Sequence, residues 1–247
     1  MQKFLYFFRY SQFLISYGLY RELLKHAWDK FFGRVLYIGI TMEIESFESP
    51  IFSRMSLFER PIEKGDHILL TSVLSDRALQ RNERHEAARR LAMLEIDLKT
   101  CYVVEDINRN VRFLQWLIPY TENEKLQMFF GDWYPLLSPD EGLMESVYVF
   151  PKYRGTGILA CAEKRIVDVA SRSGMKRIKA IIPAWNSNSL ASFMRLGFKP
   201  YQIKIERKYF GLRWRRIIPF TSSMNEQIIK MYLPHAIASL LFKAKTL

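Results

Sequence analysis

Ten residues constrain this chain more than any others: Val149-Phe150-Pro151-Lys152-Tyr153-Arg154-Gly155-Thr156-Gly157-Ile158. A run of strand formers, residues 145–150, stops at a proline. Two glycines follow. A stretch free of glycine and proline then reads as a helix from about residue 158 to 173, with Gly174 as its stop. Glycines let backbone N–H groups approach an anion closely, and a helix N-terminus adds a favourable dipole. Lys152 and Arg154 add formal positive charge. The segment therefore predicts a strand, a turn and a helix that together cradle a pyrophosphate. It is not a Walker loop, because no Gly-Lys-Ser/Thr follows, and it lacks the GxGxxG dinucleotide spacing. Glycines before a helix also make tight turns that hold no ligand, so the turn alone does not decide.

The surrounding pattern decides more. Residues 177–183 read as another strand. Asn186-Ser187-Asn188-Ser189 follows, where Ser187 or Asn188 would cap a short helix, and Phe193-Met194-Arg195-Leu196-Gly197-Phe198 closes it at a glycine. Upstream, residues 101–105 and 111–119 predict an antiparallel hairpin across a short polar connection. In this order and spacing the chain resembles the GNAT superfamily of N-acetyltransferases. That family's acyl-CoA signature runs strand, V-x-P-x-Y-R-G-x-G, helix, and its second signature is an Asn-led helix ending in L-G-F. The resemblance covers roughly residues 101–209, with weaker support back to residue 34. It implies an α/β (α+β) fold, a mixed and mostly antiparallel sheet flanked by helices. Three regions are expected: a basic aromatic helical extension (1–33), the acyltransferase domain (34–220) and a C-terminal helical segment (221–247) interrupted near Pro234.

The resemblance also implies roles. The strand at 144–150 would splay from that at 177–183 and admit a pantetheine arm between them. Tyr148 and Val149 would offer it backbone groups. Arg154, Gly155, Thr156, Gly157 and Ile158 would donate N–H groups to the pyrophosphate, and Asn186 or Asn188 would touch the arm. Acetyl-CoA, or another acyl-CoA, would be the co-substrate, with no metal. A neutral amine would attack the thioester directly. An alkylammonium titrates near ~10.4, so a base must take its proton. Glu145 is the first candidate, with Glu141 and Asp140 just before it; a solvated strand carboxylate is the competing reading. Two departures stand out. Leu159 occupies a place that usually holds Gly or Ala, and Phe193 one that often holds a tyrosine acid. A Phe cannot donate a proton, which leaves water, Ser189, Ser192 or no acid at all.

Charge bears on partners. The net charge is +12, and from residue 199 onward ten basic residues face two acidic ones. Such a field attracts CoA phosphates, an acidic acyl carrier protein, anionic lipid or nucleic acid. Arg213-Trp214-Arg215-Arg216 mixes bases and rings as nucleic-acid surfaces do, but no RNA- or DNA-binding signature accompanies it, and a solvated strand edge explains it better. At the N-terminus, Phe7, Tyr10, Leu14, Tyr17, Leu24, Trp28 and Phe31 follow helical spacing among Lys3, Arg9, Arg21, Lys25 and Lys30. Residues 1–32 then form either an interfacial membrane helix or a helix packed on the protein's own core. No uncharged apolar stretch of ~18 residues reads as a span.

Two cysteines without CxxC spacing, Cys101 and Cys161, fit a reducing, cytoplasmic setting. The four histidines show no metal-ligand spacing. Residues 76–93 predict a helix, 47–66 a loop or short strand, 121–142 a long loop that shapes a binding site, and 198–220 a hairpin around Gly211. The expected activity is acetyl transfer from acetyl-CoA to a primary amine of a small or amino-sugar-like acceptor. Two rivals remain: an N-acyl synthase fed by a long-chain carrier protein at a membrane surface, and a non-catalytic CoA-binding module.

Overall fold

Residues 111–119 are apolar at nearly every place, and such a strand needs cover on both faces. The fold supplies it. The computed structural model describes residues 2–47, 55–96, 98, 100–210 and 212–221. In chain order the elements are α1 (Gln2–Ser16), α2 (Tyr20–Phe31), β1 (Phe32–Glu43), β2 (Leu57–Pro61), α3 (His67–Ser75), α4 (Arg81–Leu94), β3 (Cys101–Asp106), β4 (Val111–Pro119), α5 (Asn123–Phe130), β5 (Glu141–Val149), α6 (Ile158–Arg172), β6 (Arg177–Pro183), α7 (Ser187–Arg195), β7 (Lys199–Tyr209) and β8 (Leu212–Pro219). The strands form one sheet in the order β2-β3-β4-β5-β6-β1-β7-β8. Every neighbouring pair is antiparallel except β5–β6. The mixed, mostly antiparallel sheet flanked by helices is the expected fold class.

The two sheet faces carry separate cores. On one, Phe113, Leu117, Met144, Ile38 and Ile40 pack with Ile158, Ala162 and Ile166 of α6 and with Leu190 and Phe193 of α7. On the other, Leu114, Trp116, Ile118 and Leu143 pack with Leu70 of α3, Leu91 of α4, Leu126 of α5, and Tyr10 and Leu14 of α1. Alternation along β4 thus feeds both layers, as period 2 requires. Cys101 and Cys161 are both buried thiols.

The N-terminal stripe divides. Gly18, at φ +68°, breaks the expected single helix into α1 and α2. A left-handed φ suits glycine and lets the chain reverse. Tyr10 and Leu14 are 2% and 0% exposed, whereas Leu24, Trp28 and Phe31 remain exposed. So α1 packs as core, and α2 keeps an apolar face outward.

Other elements differ from expectation too. The helix placed at 76–93 is α4 alone, shorter at its start. The region to 66 yields to α3, which the sequence reading did not foresee, and the long loop at 121–142 contains α5 and the first residues of β5. The C-terminal helical segment lies outside the described residues.

Candidate active site

The site begins with a bulge. Trp116 pairs with Glu145 but Leu114 pairs with Tyr148, so Gln115 faces two residues, Ser146 and Val147. Ser146 takes φ +55° there. The extra residue inverts the alternation of β5: Met144 faces the α6 core, but beyond the bulge Tyr148 and Phe150 face the opposite one. A bulge also bends a strand, and β5 leaves β6 at this point. The parallel pairing runs from Glu141–Arg177 to Met144–Ala180 and stops. The remainder of β5 and Ile181–Pro183 splay apart.

Arg90 of α4 fixes the bulge. Its guanidinium is 4% exposed and donates to the carbonyls of Ser146 at 3.1 Å and Val147 at 2.7 Å. Glu86 bonds it at 2.7 Å and supplies the countercharge. Burial opposes the charge on Glu86, but Arg89 and Arg90 outweigh it and hold that carboxyl down to about 2. For Arg90 itself burial wins, and its pKa falls below the usual guanidinium value.

A cleft of about 890 Å³ opens in the splay. It brings together Glu145, Tyr148, Val149, Arg154, Gly155, Gly157, Ile158, Asn186 and Asn188. Thr156 does not line it; its hydroxyl turns back to the Tyr153 carbonyl at 2.6 Å. Phe150 N–H donates to Arg112, and the alternation of antiparallel pairs then turns the backbone groups of Tyr148 toward β4 and those of Val149 toward the gap. The Val149 carbonyl already accepts from Arg154 Nε at 3.1 Å. The hydroxyl of Tyr148 is buried without a hydrogen-bond partner, and burial pushes its pKa up to about 12.

At the turn, Gly155 and Gly157 adopt φ +75° and +79° with open space where a Cβ would stand. Conformation rather than crowding calls for glycine at both. No side chain caps α6, and among the described residues the N–H groups of Gly155, Thr156 and Gly157 donate to no backbone carbonyl. These are the orphan donors that attract an anion. Arg154, expected to add charge, is engaged: Glu83 of α4 holds it through two bonds of 2.5 and 2.6 Å. Arg195, at the end of α7, lines the cleft as a further cation. Asn186, not Ser187 or Asn188, caps α7, its Oδ1 accepting from Ser189 N–H at 3.2 Å. Phe193 is 2% exposed, with its ring edge-on to Phe198.

Glu145 is no solvated carboxylate. Its side chain is 12% exposed, 3.5 Å from Arg89, and it accepts from Ser146 Oγ at 3.2 Å. Tyr134 is buried beside it; burial first, and the Glu145 charge second, push that phenol well above its ordinary value. Glu141, the second candidate, lies at the far end of β5, tied to Lys179 at 2.7 Å and Arg177 at 3.2 Å. The sequence reading missed Arg89, Arg90 and Tyr134. Their signal was absent, because arginines in a charged helix and a tyrosine in a loop look like surface.

Among the described residues no group of three or more His, Cys, Asp or Glu could hold a metal ion, and no helix is long and apolar enough to cross a membrane. A comparison with protein families matches residues 70–198 to the acetyltransferase (GNAT) family. No curated protein matches by sequence. Among solved structures, similar chains include a fungal β-N-acetylglucosaminidase with a glucosamine N-acetyltransferase region (17% identity, TM-score 0.50, covering 81% of this chain and 23% of that one). Others are a tandem GNAT protein of clavulanic acid biosynthesis (12%, TM-score 0.45, 74% and 53%) and a spermidine N-acetyltransferase chimera from Vibrio cholerae (17%, TM-score 0.41, 57% and 79%). The chain spans about a quarter of the fungal protein and about half of the tandem one. The fungal likeness shows the fold alone; the family match covers just over half of the sequence, and the chain belongs to the GNAT acetyltransferase family, acyltransferases that use an acyl-CoA as co-substrate.

Proposed function

We propose that this protein transfers an acetyl group from acetyl-CoA to the primary amine of a small-molecule or amino-sugar-like acceptor. The observation that carries the reading is the gap between β5 and β6, which opens beside the free donors of the 155–157 turn. The residues fit the donor. A pyrophosphate suits the N–H groups of Gly155, Thr156, Gly157 and Ile158, and the Val149 N–H, facing the gap, suits a pantetheine carbonyl. Asn188 and the side-chain nitrogen of Asn186 stand along the same arm. Acetyl-CoA bound there supplies an activated acyl carbonyl.

At the other end of the cleft stand Glu86 and Glu145, with Arg89 between them. Arg89 and Arg90 balance the two carboxylates, and a bound ammonium must give up its proton before nitrogen can attack. Glu145 takes that proton, directly or through a water, while Arg89 holds its orientation. As the C–N bond forms and the C–S bond breaks, the thiolate leaves. Phe193 donates nothing to it, so solvent or Ser192 at the cleft wall supplies the proton.

Glu145→Gln tests this. Turnover with an amine panel should fall ~10²-fold or more, as for loss of a general base, with CoA affinity unchanged. The pH–rate profile should lose its acid limb. The same profile and rate in both proteins would remove Glu145 from the chemistry. A second reading, transfer of a longer acyl chain from a carrier protein, draws on the apolar floor of the cleft, Met144, Ile182 and Phe193. Rates across acyl-chain lengths on CoA and carrier donors separate the two. Absence of turnover with every donor and amine would leave a CoA-binding module.

A further inference from the structure

The large apolar side chains left exposed are not scattered. Nine of nineteen among the described residues come from two short segments, 20–31 and 209–217. That concentration asks for a common cause. Tyr20, Leu24, Trp28 and Phe31 recur at helical spacing on α2 and are 53% to 71% exposed. Leu23, about a quarter turn from the stripe, packs inward. The stripe therefore faces away from the protein.

The stripe continues onto the sheet through ring contacts. Trp28 lies 4.8 Å from Phe32, and Phe32 lies 5.1 Å from Phe210 and 6.0 Å from Tyr209. Phe210 sits at the tip of the β7–β8 hairpin, in the left-handed region at φ +50°. On the sheet beside it, register puts Phe32, Tyr209 and Leu212 in one row and Arg34, Arg207 and Trp214 in the next. Alternation places both rows on the same face. All of them but Leu212 border a groove of about 880 Å³.

Arg34 directly opposite Arg207 is a like-charge cross-strand pair, which destabilises a sheet unless something offsets it. Neither has an ion-pair partner among the described residues. Glu206 cannot serve, since it points to the other face and is held by Arg215 at 2.8 Å and Lys208 at 3.3 Å. The surface thus combines two uncompensated guanidiniums with rings and aliphatic chains, and Arg21 and Lys25 flank the α2 stripe, with Asp29 as the acid on that flank.

We propose that this surface docks the protein on an anionic lipid bilayer. The α2 stripe and the hairpin tip sit at headgroup level, and Arg34 and Arg207 meet lipid phosphates. Aromatic rings are favoured at that boundary, and an amphipathic helix lying in it buries its apolar stripe. The aliphatic share of the surface, Leu24 and Leu212 above all, argues for acyl chains over nucleobases, which need rings to stack on. Anionic headgroups complement the basic rim.

The test uses the full chain and vesicles of phosphatidylglycerol with phosphatidylcholine, against phosphatidylcholine alone. The protein should sediment with the anionic vesicles at low salt and less at high salt. Trp28→Ser with Phe210→Ser should abolish binding, and loss of each of Arg34 and Arg207, as Gln, should weaken it about fivefold, with melting temperatures unchanged. If the serine variant misfolds, brominated lipid should still quench tryptophan fluorescence of the wild-type chain, and Trp28→Phe with Trp214→Phe should remove that quenching. No sedimentation with anionic vesicles overturns the proposal. So does unaltered binding by the folded serine variant, or binding lost on ending the chain at residue 221. A dimer that the serine variant dissociates, without vesicle binding, or competition by single-stranded RNA that abolishes sedimentation, also overturns it.

Discussion

Glu163 carries a carboxyl into the contact between α6 and β4, where it is fully buried. Gln115, its amide nitrogen turned toward it, donates to both oxygens at 3.2 and 3.3 Å. Burial raises the carboxyl from 4.5 to about 8, with only the Gln115 bond opposing. The folded protein therefore keeps a proton that the unfolded chain has released, and stability falls as pH rises from about 4.5 to about 8. Across that window each step of one pH costs roughly 1.4 kcal/mol. Glu163→Gln should flatten that slope and raise the melting temperature above pH 8 by several degrees, while changing little at pH 5; a slope equal to wild type would assign the proton elsewhere. Arg90 shows why such residues stay hidden in a sequence. In Ala-Ala-Arg-Arg-Leu-Ala it reads as a solvated helix charge, yet its place is set by two carbonyls that exist only because β5 bulges. Lys204 is similar. It is 2% exposed and bonds the backbone of Asp132 and Trp133, and so steadies the loop that presents Tyr134 to Glu145.

The 154–157 turn was legible because its function depends on backbone, and glycines announce backbone. Its electrostatics were not, because Glu83 arrives from α4, seventy-one residues away in sequence. Glu83→Gln should leave Arg154 uncompensated beside the phosphates and tighten CoA binding about fivefold, the worth of roughly 1 kcal/mol for an exposed pair. An unchanged Kd by calorimetry would mean that Arg154 does not reach the phosphates. Gly157→Glu should abolish the CoA-induced rise in melting temperature, since it strains a left-handed φ and adds negative charge; a normal rise in the folded variant would move the donor site. Elements without such punctuation were missed. α3 is only nine residues long, and its β-branched Ile68, Thr71 and Val73 weaken the helical signal of its three leucines. α5 spans eight residues between Pro119 and Pro135, and tertiary packing of Leu126 forms it rather than propensity. β5 begins at Glu141, earlier than expected, because Gly142 admits the Met175 sulfur where a side chain would stand.

At the scale of the molecule, the amino-terminal helices belong to two environments. Tyr10, Leu14 and Leu19 are buried with α4 and α5, and each such side chain contributes about 1.5–3 kcal/mol. A chain begun at residue 32 should therefore melt far lower than the full protein by circular dichroism. An equal melting temperature would make α1 a detachable extension. The helical spacing of residues 7–31 was plain in the sequence; its division between core and surface was not, since one glycine decides it. Nor does local pattern say that β1 lies between β6 and β7, pairing Ile40 with both Ala180 and Pro200. That placement has a consequence for biosynthesis. The earliest strand to leave the ribosome finds its neighbours only after some 140 further residues, which at 5–20 residues per second is on the order of ten seconds. Through that interval an apolar strand with both edges open waits on the nascent chain, where holdase chaperones bind and where two such strands from neighbouring ribosomes would pair with each other.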